Sequence, residues 1–162
     1  MTADLERRLR ALEDEAEIHR LAARFSDAVN ERDLAAFGRL WAEAGAVWSI
    51  GPPLTSRAEG REAIVGLLES LYKLERYFMQ MTHSGVVTLD GDRATARYVV
   101  REHGRGDGTY YENLAVYNDE LVREADGWRF ATRSYVYRFL SQKPVDEEAF
   151  EVTGDHPDQI SQ

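Results

Sequence analysis

A histidine stands in the stretch MTHSGVVTLDGDRATARYVV, residues 81–100, which otherwise predicts two strands joined by a turn. An imidazole titrates near neutral pH, so His83 is well suited to take a proton and return it. If His83 points inward, strand alternation places four further residues on its face: Met81, Gly85, Val87 and Leu89. The alternative interpretation is an ordinary half-buried histidine with a structural role.

The second strand is predicted to place Tyr98 opposite His83. Its arginines mark the solvent face, so the alternate residues turn inward: Ala94, Ala96, Tyr98, Val100 and Glu102. A two-residue turn at Asp90-Gly91 then brings the Cβ atoms of His83 and Tyr98 about 5 Å apart. Glu102 falls about 13 Å along the strand from His83, beyond hydrogen-bonding reach. It is expected to line the far rim or to be solvated.

Other kinds of chemistry have little support in the sequence. The chain has no cysteine, which excludes disulfides, thiolate nucleophiles and cysteine metal sites. The four histidines lack metal-ligand spacing, so we predict no metal site and no cofactor. The glycine-rich segment 104–108 joins two predicted strands and opens no helix. It is therefore interpreted as a hairpin turn and not as a phosphate loop.

The elements that position these residues are three helices followed by a sheet, an α+β plan. Apolar periodicity predicts helices over 1–30, from Asp33 as N-cap to Gly45, and over 60–75. The first dozen residues, with Leu5, Leu9 and Leu12 among many charges, either extend the first helix or form a separate arm. The second helix is predicted to present Leu34, Phe37, Leu40 and Trp41 along one face. Predicted strands cover 46–50, 79–89, 93–103, 109–123 and 128–139. Residues 1–142 form one predicted domain, and residues 143–162 an acidic, mobile tail.

Composition narrows the partners. The chain has 162 residues, 43% of them hydrophobic, which suits one domain with a sizeable core. The net charge is −9 and no basic cluster is present, so a nucleic-acid partner is not expected. No apolar run approaches the roughly 20 residues that span a bilayer. The first residues lack the apolar core of a signal peptide, so a cytoplasmic location is expected.

Four segments together resemble a known family: EIHRLAARFSDAVNERDLAAFGRLWAE, EGREAI, THSGVVTLDGDRATARY and DGWRFATRSYVYRFL. They are similar to the SnoaL-like branch of the nuclear-transport-factor-2-like (NTF2-like) superfamily, including scytalone dehydratase-type and bile acid dehydratase-type proteins. The resemblance covers roughly residues 12–140. It implies an NTF2-like cone, in which three N-terminal helices pack on a curved, mixed, mainly antiparallel sheet around an apolar pocket. The resemblance is specific to the fold and not to one activity.

The resemblance also implies site residues. Related dehydratases pair a strand histidine with a carboxylate at the end of the first helix. His83 matches the first position, but Asn30 occupies the second and brings no charge. Asn30 would orient the His83 ring through its amide oxygen, or it simply ends the helix in left-handed geometry. Phe25 replaces a tyrosine found in some relatives. The implied substrate-binding residues are Phe25, Tyr98, Asn113, Tyr117, Arg133, Tyr135 and Tyr137.

Three classes of function follow from this interpretation. The leading hypothesis is a cofactor-independent lyase or isomerase acting on a hydrophobic oxygenated small molecule such as a polyketide, terpenoid, steroid or aromatic compound. The second is a non-catalytic small-molecule-binding protein, which the missing carboxylate favours. The third is an assembly subunit of a larger enzyme. A homodimer or trimer is expected, and strand parity suggests Trp128 and Phe130 as outward-facing subunit contacts.

Overall fold

The computed structural model describes residues 2–75, 77–106 and 108–145. The helices are α1 (Thr2–Asn30), α2 (Leu34–Gly38) and α3 (Arg61–Tyr72). The strands are β1 (Val47–Ile50), β2 (Ser56–Glu59), β3 (Tyr77–Asp90), β4 (Arg93–Gly106), β5 (Thr109–Glu124) and β6 (Gly127–Pro144). The predicted strand 46–50 and the four long strands are therefore present, each longer strand extending one to five residues past its predicted end.

The strands form one six-stranded sheet in the order β2-β1-β6-β5-β4-β3. Strand β1 runs parallel to β6, and every other neighbouring pair is antiparallel. Helices packed on this curved, mixed sheet confirm the expected α+β cone. Strand β2 is not among the strands that the sequence predicts. Its sequence, SRAE, has only one buried position, Ala58, so it carries no alternation that a sequence pattern would reveal.

The second helix is shorter than predicted, because it ends at Gly38. Asp33 caps it as expected, accepting a hydrogen bond from the Ala36 N–H at 2.8 Å. Beyond Gly38 the chain instead pairs with β6: the Phe130 N–H donates to the Leu40 carbonyl at 2.9 Å. Trp41 therefore enters the core from an extended segment and not from a helix face.

The core lies between the inner face of α1 and the concave face of the sheet. Phe25 is fully buried at its centre and makes edge contacts with Trp48, Tyr117 and Phe130. Edge-to-face aromatic pairs of this kind contribute about 0.5–1.5 kcal/mol each beyond the area they bury. One helix thus fixes the relative positions of three strands that line the interior.

An irregularity in β6 overturns part of the predicted facing. Leu121 pairs with Phe130 but Glu120 pairs with Thr132, so β6 carries an extra residue between the two. The bulge reverses the alternation, so even-numbered residues before it and odd-numbered residues just after it point into the core. Trp128 and Phe130 are consequently fully buried in the core. The prediction that they form outward subunit contacts is wrong.

The end of β6 also differs from the predicted boundary. The strand continues through Pro144, two residues into the segment predicted as a mobile tail. Residues 146–162 of that predicted tail lie outside the described residues. No helix within the described ranges has the length and apolar character that crossing a membrane requires.

Candidate functional site

A cavity of about 360 Å³ lies under α1 and α3, on the concave face of the sheet. Apolar side chains form most of its wall, among them Phe25, Trp48, Leu68 and Phe78. This volume is at the lower end of the range for small-molecule pockets, about 300–1,000 Å³. The walls favour a compact apolar ligand, so its orientation depends on the few polar groups inside.

Five of those polar groups form one hydrogen-bonded cluster around Glu102. The Gln80 side-chain amide donates to Glu102 Oε1 at 2.7 Å. Asn113 Nδ2 and the Tyr135 hydroxyl donate to Glu102 Oε2 at 3.0 and 2.6 Å. Gln80 Nε2 also lies 3.3 Å from the Tyr117 hydroxyl, to which it donates. All five side chains line the cavity, and the three partners of Glu102 all act as donors.

Glu102 is the carboxyl of the cluster and is buried. Only 6% of the residue is exposed, and burial raises the pKa of its carboxyl above the usual range. The hydrogen bonds from Tyr135, Asn113 and Gln80 oppose that rise by stabilising the carboxylate. A carboxylate held this way in an apolar cavity combines raised basicity with fixed geometry. Those are the properties that a general base requires.

Asn113 has an acceptor left over. Its Nδ2 must face the Glu102 carboxylate, which accepts but cannot donate when ionised. Its Oδ1 is buried and has no hydrogen-bond partner among the described residues. Unpaired buried polar atoms are costly and uncommon. Since Asn113 lines the cavity, this oxygen is placed to accept a hydrogen bond from a ligand hydroxyl.

A second carboxyl, Glu75, lines the same cavity just beyond the end of α3. The Tyr111 hydroxyl donates to Glu75 Oε1. Burial raises the pKa of Glu75 to about 7, with the charge of Glu102 adding to the rise and the Tyr111 hydrogen bond opposing it. Glu75 therefore exchanges its proton near neutral pH, within a cavity that also holds Glu102.

Asn30 does not orient a histidine. Its Oδ1 accepts from the Gln80 backbone N–H at 2.7 Å, and its Nδ2 donates to the Gln80 carbonyl at 2.9 Å. Asn30 is the last residue of α1, as the alternative explanation expects, but the left-handed residue at this helix end is Arg32, with φ of 56°. The strand residue facing the end of α1 is Gln80. Neither Asn30 nor Gln80 titrates, so this pair supplies no base.

His83 lies outside the cavity, on an exposed part of β3. Strand β3 bulges between Thr82 and Gly85, where three steps along β3 match two along β4. The turn also closes one residue later than predicted, pairing Asp90 with Arg93. Tyr98 consequently faces Gly85 and not His83. The predicted inward position of His83 is wrong, and Met81 is exposed for the same reason.

Tyr98 is buried but belongs to a different surface. Its hydroxyl lies 3.0 Å from His19 Nδ1, beside a shallow groove that also contains Thr82 and His83. Burial raises the pKa of Tyr98 to about 12. This hydroxyl therefore contacts helix α1, and it does not reach the cavity where a substrate oxygen would bind.

Arg133 is fully buried behind the cavity wall. Its guanidinium carbon lies 3.8 Å from the ring centre of Tyr117 and 4.1 Å from that of Phe25. Arg133 Nε is 3.3 Å from Asp119 Oδ1, and both side chains are inaccessible. Burial raises the pKa of Asp119 to about 6, although the charge of Arg133 lowers it in part. Arg133 thus supports the wall and does not touch the space inside.

The other predicted binding residues line the cavity: Phe25, Asn113, Tyr117, Tyr135 and Tyr137. Sequence reasoning missed Gln80 and Glu75 and undervalued Glu102. Alternation along β4 already turned Glu102 inward, and an acid on an apolar inward face was the available signal. Gln80 was hidden because the bulge reverses the alternation of β3 between it and Gly85.

No group of three or more acidic, histidine or cysteine residues in the described ranges is arranged to hold a metal ion. The cavity offers instead two carboxyls, five phenols and three amides in an apolar wall. Carboxyls move protons, and phenols and amides bind carbonyl or hydroxyl oxygens. The arrangement suits proton transfer on an apolar molecule that carries oxygens.

Comparison with known families gives one match across most of the chain. A family model described as a SnoaL-like domain matches residues 10–134. A search of curated proteins finds no match.

Solved structures share the fold. A type 2 hexachlorocyclohexane dehydrochlorinase, LinA, is 19% identical, covers 90% of this chain and 98% of its own, and superposes with a TM-score of 0.79. The LinA-type3 enzyme from Novosphingobium barchaimii is 17% identical over 90% and 99% of the two chains, with a TM-score of 0.78. An NTF2-like protein with a cystatin-like fold from Novosphingobium aromaticivorans is 28% identical over 84% and 89%, with a TM-score of 0.73.

Proposed function

The chain belongs to the SnoaL-like domain family, and we propose that it is a cofactor-independent lyase or isomerase acting on a hydrophobic oxygenated small molecule. The observation that carries the proposal is Glu102, a buried carboxyl that lines an apolar cavity and accepts three hydrogen bonds there. The dehydrochlorinase neighbours show that this fold hosts elimination chemistry, and they support the same reaction class here.

In the proposed reaction Glu102, as a carboxylate, takes a proton from a carbon next to a substrate carbonyl. The hydroxyl of Tyr117, which accepts from Gln80, keeps its own proton to donate to the carbonyl oxygen as negative charge develops there. An isomerase would return the proton to a different carbon. General acid–base help of this kind contributes roughly 10²- to 10⁴-fold to a rate.

A lyase needs a second proton transfer, and Glu75 is placed to supply it. As the C–O bond breaks, Glu75 protonates the leaving hydroxyl, so that water departs and a C=C bond forms. Glu102 ends protonated and Glu75 ionised, and exchange with solvent restores both. The pKa of Glu75, about 7, leaves a large fraction protonated at neutral pH.

The test uses exchange, which requires only the first step. A panel of cyclic ketones and β-hydroxy ketones is incubated with the protein in D₂O, and loss of α-proton signals is followed by NMR. We expect Glu102→Gln to slow exchange by about 10²-fold or more. His83→Gln is the matched control and should exchange as wild type does, because His83 lies outside the cavity. Wild-type exchange in Glu102→Gln would contradict the proposal.

A non-catalytic ligand-binding protein is the second candidate, and one observation favours it. Asn30 stands where the resemblance to dehydratases implies a carboxylate, and its amide bonds to the Gln80 backbone and moves no proton. Calorimetry on the same ketone panel separates the two functions. Binding without any exchange by wild type identifies a binding protein, whereas binding with exchange that Glu102→Gln abolishes identifies the enzyme.

A further inference from the structure

The first half of α1 projects beyond the domain. Every residue from Thr2 to Glu13 is exposed, and Asp14 is the first buried one. Three leucines in this segment are exposed to an unusual degree: Leu5 at 65%, Leu9 at 53% and Leu12 at 65%. Single exposed leucines are ordinary, but three on one side of a projecting helix form an apolar face that favours a partner.

The leucines repeat at the spacing of a helix pair. Leu5, Leu9 and Leu12 follow the alternating four- and three-residue steps of a coiled-coil seam. Ala16 continues the same steps and is not buried. His19 and Ala23 keep the spacing but border the groove beside β3, where His19 Nδ1 lies 3.0 Å from the Tyr98 hydroxyl. The seam open to a partner therefore runs from Leu5 to Ala16, about two heptads.

The seam faces away from the domain's own core. At about 100° per residue, the buried residues Ile18, Leu21 and Phe25 lie on nearly the opposite side of α1 from the leucines. Two copies of α1 placed seam to seam would thus carry their domains on opposite outer sides. No movement of the core is needed to bring the two helices into contact.

Charges beside the seam identify the occupant. The spacing puts Leu9 and Ala16 at the heptad position called a. In a parallel two-stranded pair, the residue just before a heptad a position faces the residue five positions further along on the other helix. Arg8 then meets Glu13 of a second copy, and Glu15 meets Arg20 of a second copy. By symmetry this gives four attractive contacts. An antiparallel pair over the same leucines would instead place Glu6 opposite Glu13 of the second copy, and this repulsion offsets the attraction between Arg8 and Glu15 in that arrangement.

We propose that a second copy of this chain occupies this face, forming a parallel, two-fold α1–α1 helix pair through Leu5, Leu9 and Leu12. The proposal differs from the sheet-face contact predicted at Trp128 and Phe130, which the core already uses. It leaves the cavity and its carboxyls on the opposite side of α1, inside each copy.

Light scattering and analytical ultracentrifugation of the full chain test the interface. Wild type is expected to be a dimer at about 100 µM, a concentration typical of modest self-association. Leu9→Glu/Leu12→Glu should be monomeric with unchanged circular dichroism, because both leucines are exposed. Val86→Glu is the control on the outer sheet face, where Val86 is 70% exposed, and should remain dimeric.

A charge exchange tests the pairing itself. Arg8→Glu places like charges opposite each other at both symmetric contacts, and should weaken the dimer about tenfold. Arg8→Glu/Glu13→Arg restores opposite charges and should recover the wild-type dissociation constant. Because the chain has no cysteine, Leu12→Cys reports direction: air oxidation should give a disulfide-linked dimer only if the helices are parallel and in register.

Two outcomes would overturn the proposal. One is a wild-type monomer at about 100 µM. The other is a dimer that Leu9→Glu/Leu12→Glu leaves intact while Val86→Glu dissociates it, which would assign the contact to the sheet face.

Discussion

The side chain of Asn30 forms two hydrogen bonds with the backbone of Gln80, one in each direction. Asn30 Oδ1 accepts from the Gln80 N–H at 2.7 Å, and Asn30 Nδ2 donates to the Gln80 carbonyl at 2.9 Å. At neutral pH an amide offers both an acceptor and a donor here, whereas a carboxylate offers only acceptors. The pair joins the end of α1 to β3 just before the bulge, and it sets the position of the Gln80 side chain beside Glu102.

Restoring the acid found in related dehydratases should therefore weaken this protein. Asn30→Asp replaces a donor with a second acceptor, so a carboxylate oxygen would face the Gln80 carbonyl. We expect a loss of about 1–3 kcal/mol in the free energy of unfolding at pH 7, measured by urea denaturation. The loss should shrink at pH 4, where a protonated carboxyl donates again.

Asp27→Asn is the matched control for Asn30→Asp. Asp27 is exposed on the same helix one turn earlier, so its substitution should change stability by less than about 0.5 kcal/mol. An Asn30→Asp protein as stable as wild type at pH 7 would show that the two hydrogen bonds contribute little.

How far the sequence predicted the site depended on where alternation holds. Strand β4 is regular, so the alternation of side chains between the two faces of a strand correctly predicts that Tyr98, Val100 and Glu102 point inward. Along β3 an extra residue between Thr82 and Gly85 reverses the faces, so the same rule misplaced His83. The bulge shifts the alternation by one residue, and the residue types of 81–89 do not mark where that shift falls.

Gly85 makes a close packing contact, and it gives a second prediction. A Cβ atom at this position would overlap the ring of Tyr98. Gly85→Ala should destabilise the protein by about 1–3 kcal/mol, measured by thermal or urea unfolding. In a Tyr98→Leu background the added cost of Gly85→Ala should be smaller, because the overlapping ring is gone.

Gly66→Ala is the matched glycine control. Gly66 lies inside α3, and an added Cβ would meet no atom within 4 Å. Alanine at a free helical position should stabilise by about 0.5–1 kcal/mol. Equal effects of the two substitutions would contradict a steric role for Gly85.

The buried ion pair Arg133–Asp119 gives the third prediction. Arg133→Met leaves the Asp119 carboxylate without its buried cation, at an expected cost of about 3–5 kcal/mol at pH 8. Arg133 lowers the pKa of Asp119, so its removal raises that pKa further. The cost should therefore be smaller at pH 5, where Asp119 is protonated.

Adding Asp119→Asn separates charge from packing. The double variant has no buried charge at this place, so its stability should exceed that of Arg133→Met at pH 8. Losses that simply add would show that Arg133 acts through its contacts with the rings of Tyr117 and Phe25.

The titration of Glu75 provides the last prediction and the most direct check on the two-carboxyl cavity. Its pKa is about 7, above the ordinary 4.5, so a carbon-13 titration should place its midpoint near neutral pH. Glu102→Gln removes a negative neighbour and should lower the pKa of Glu75. Tyr111→Phe removes a hydrogen bond to the Glu75 carboxylate and should raise that pKa. Since the folded state holds this proton more tightly than the unfolded chain, the free energy of unfolding should fall as pH rises from 4.5 to 7. Glu75→Gln should flatten that slope. A Glu75 midpoint near 4.5, unmoved by either neighbour, would show that the two carboxyls do not interact and would remove Glu75 as a proton donor at neutral pH.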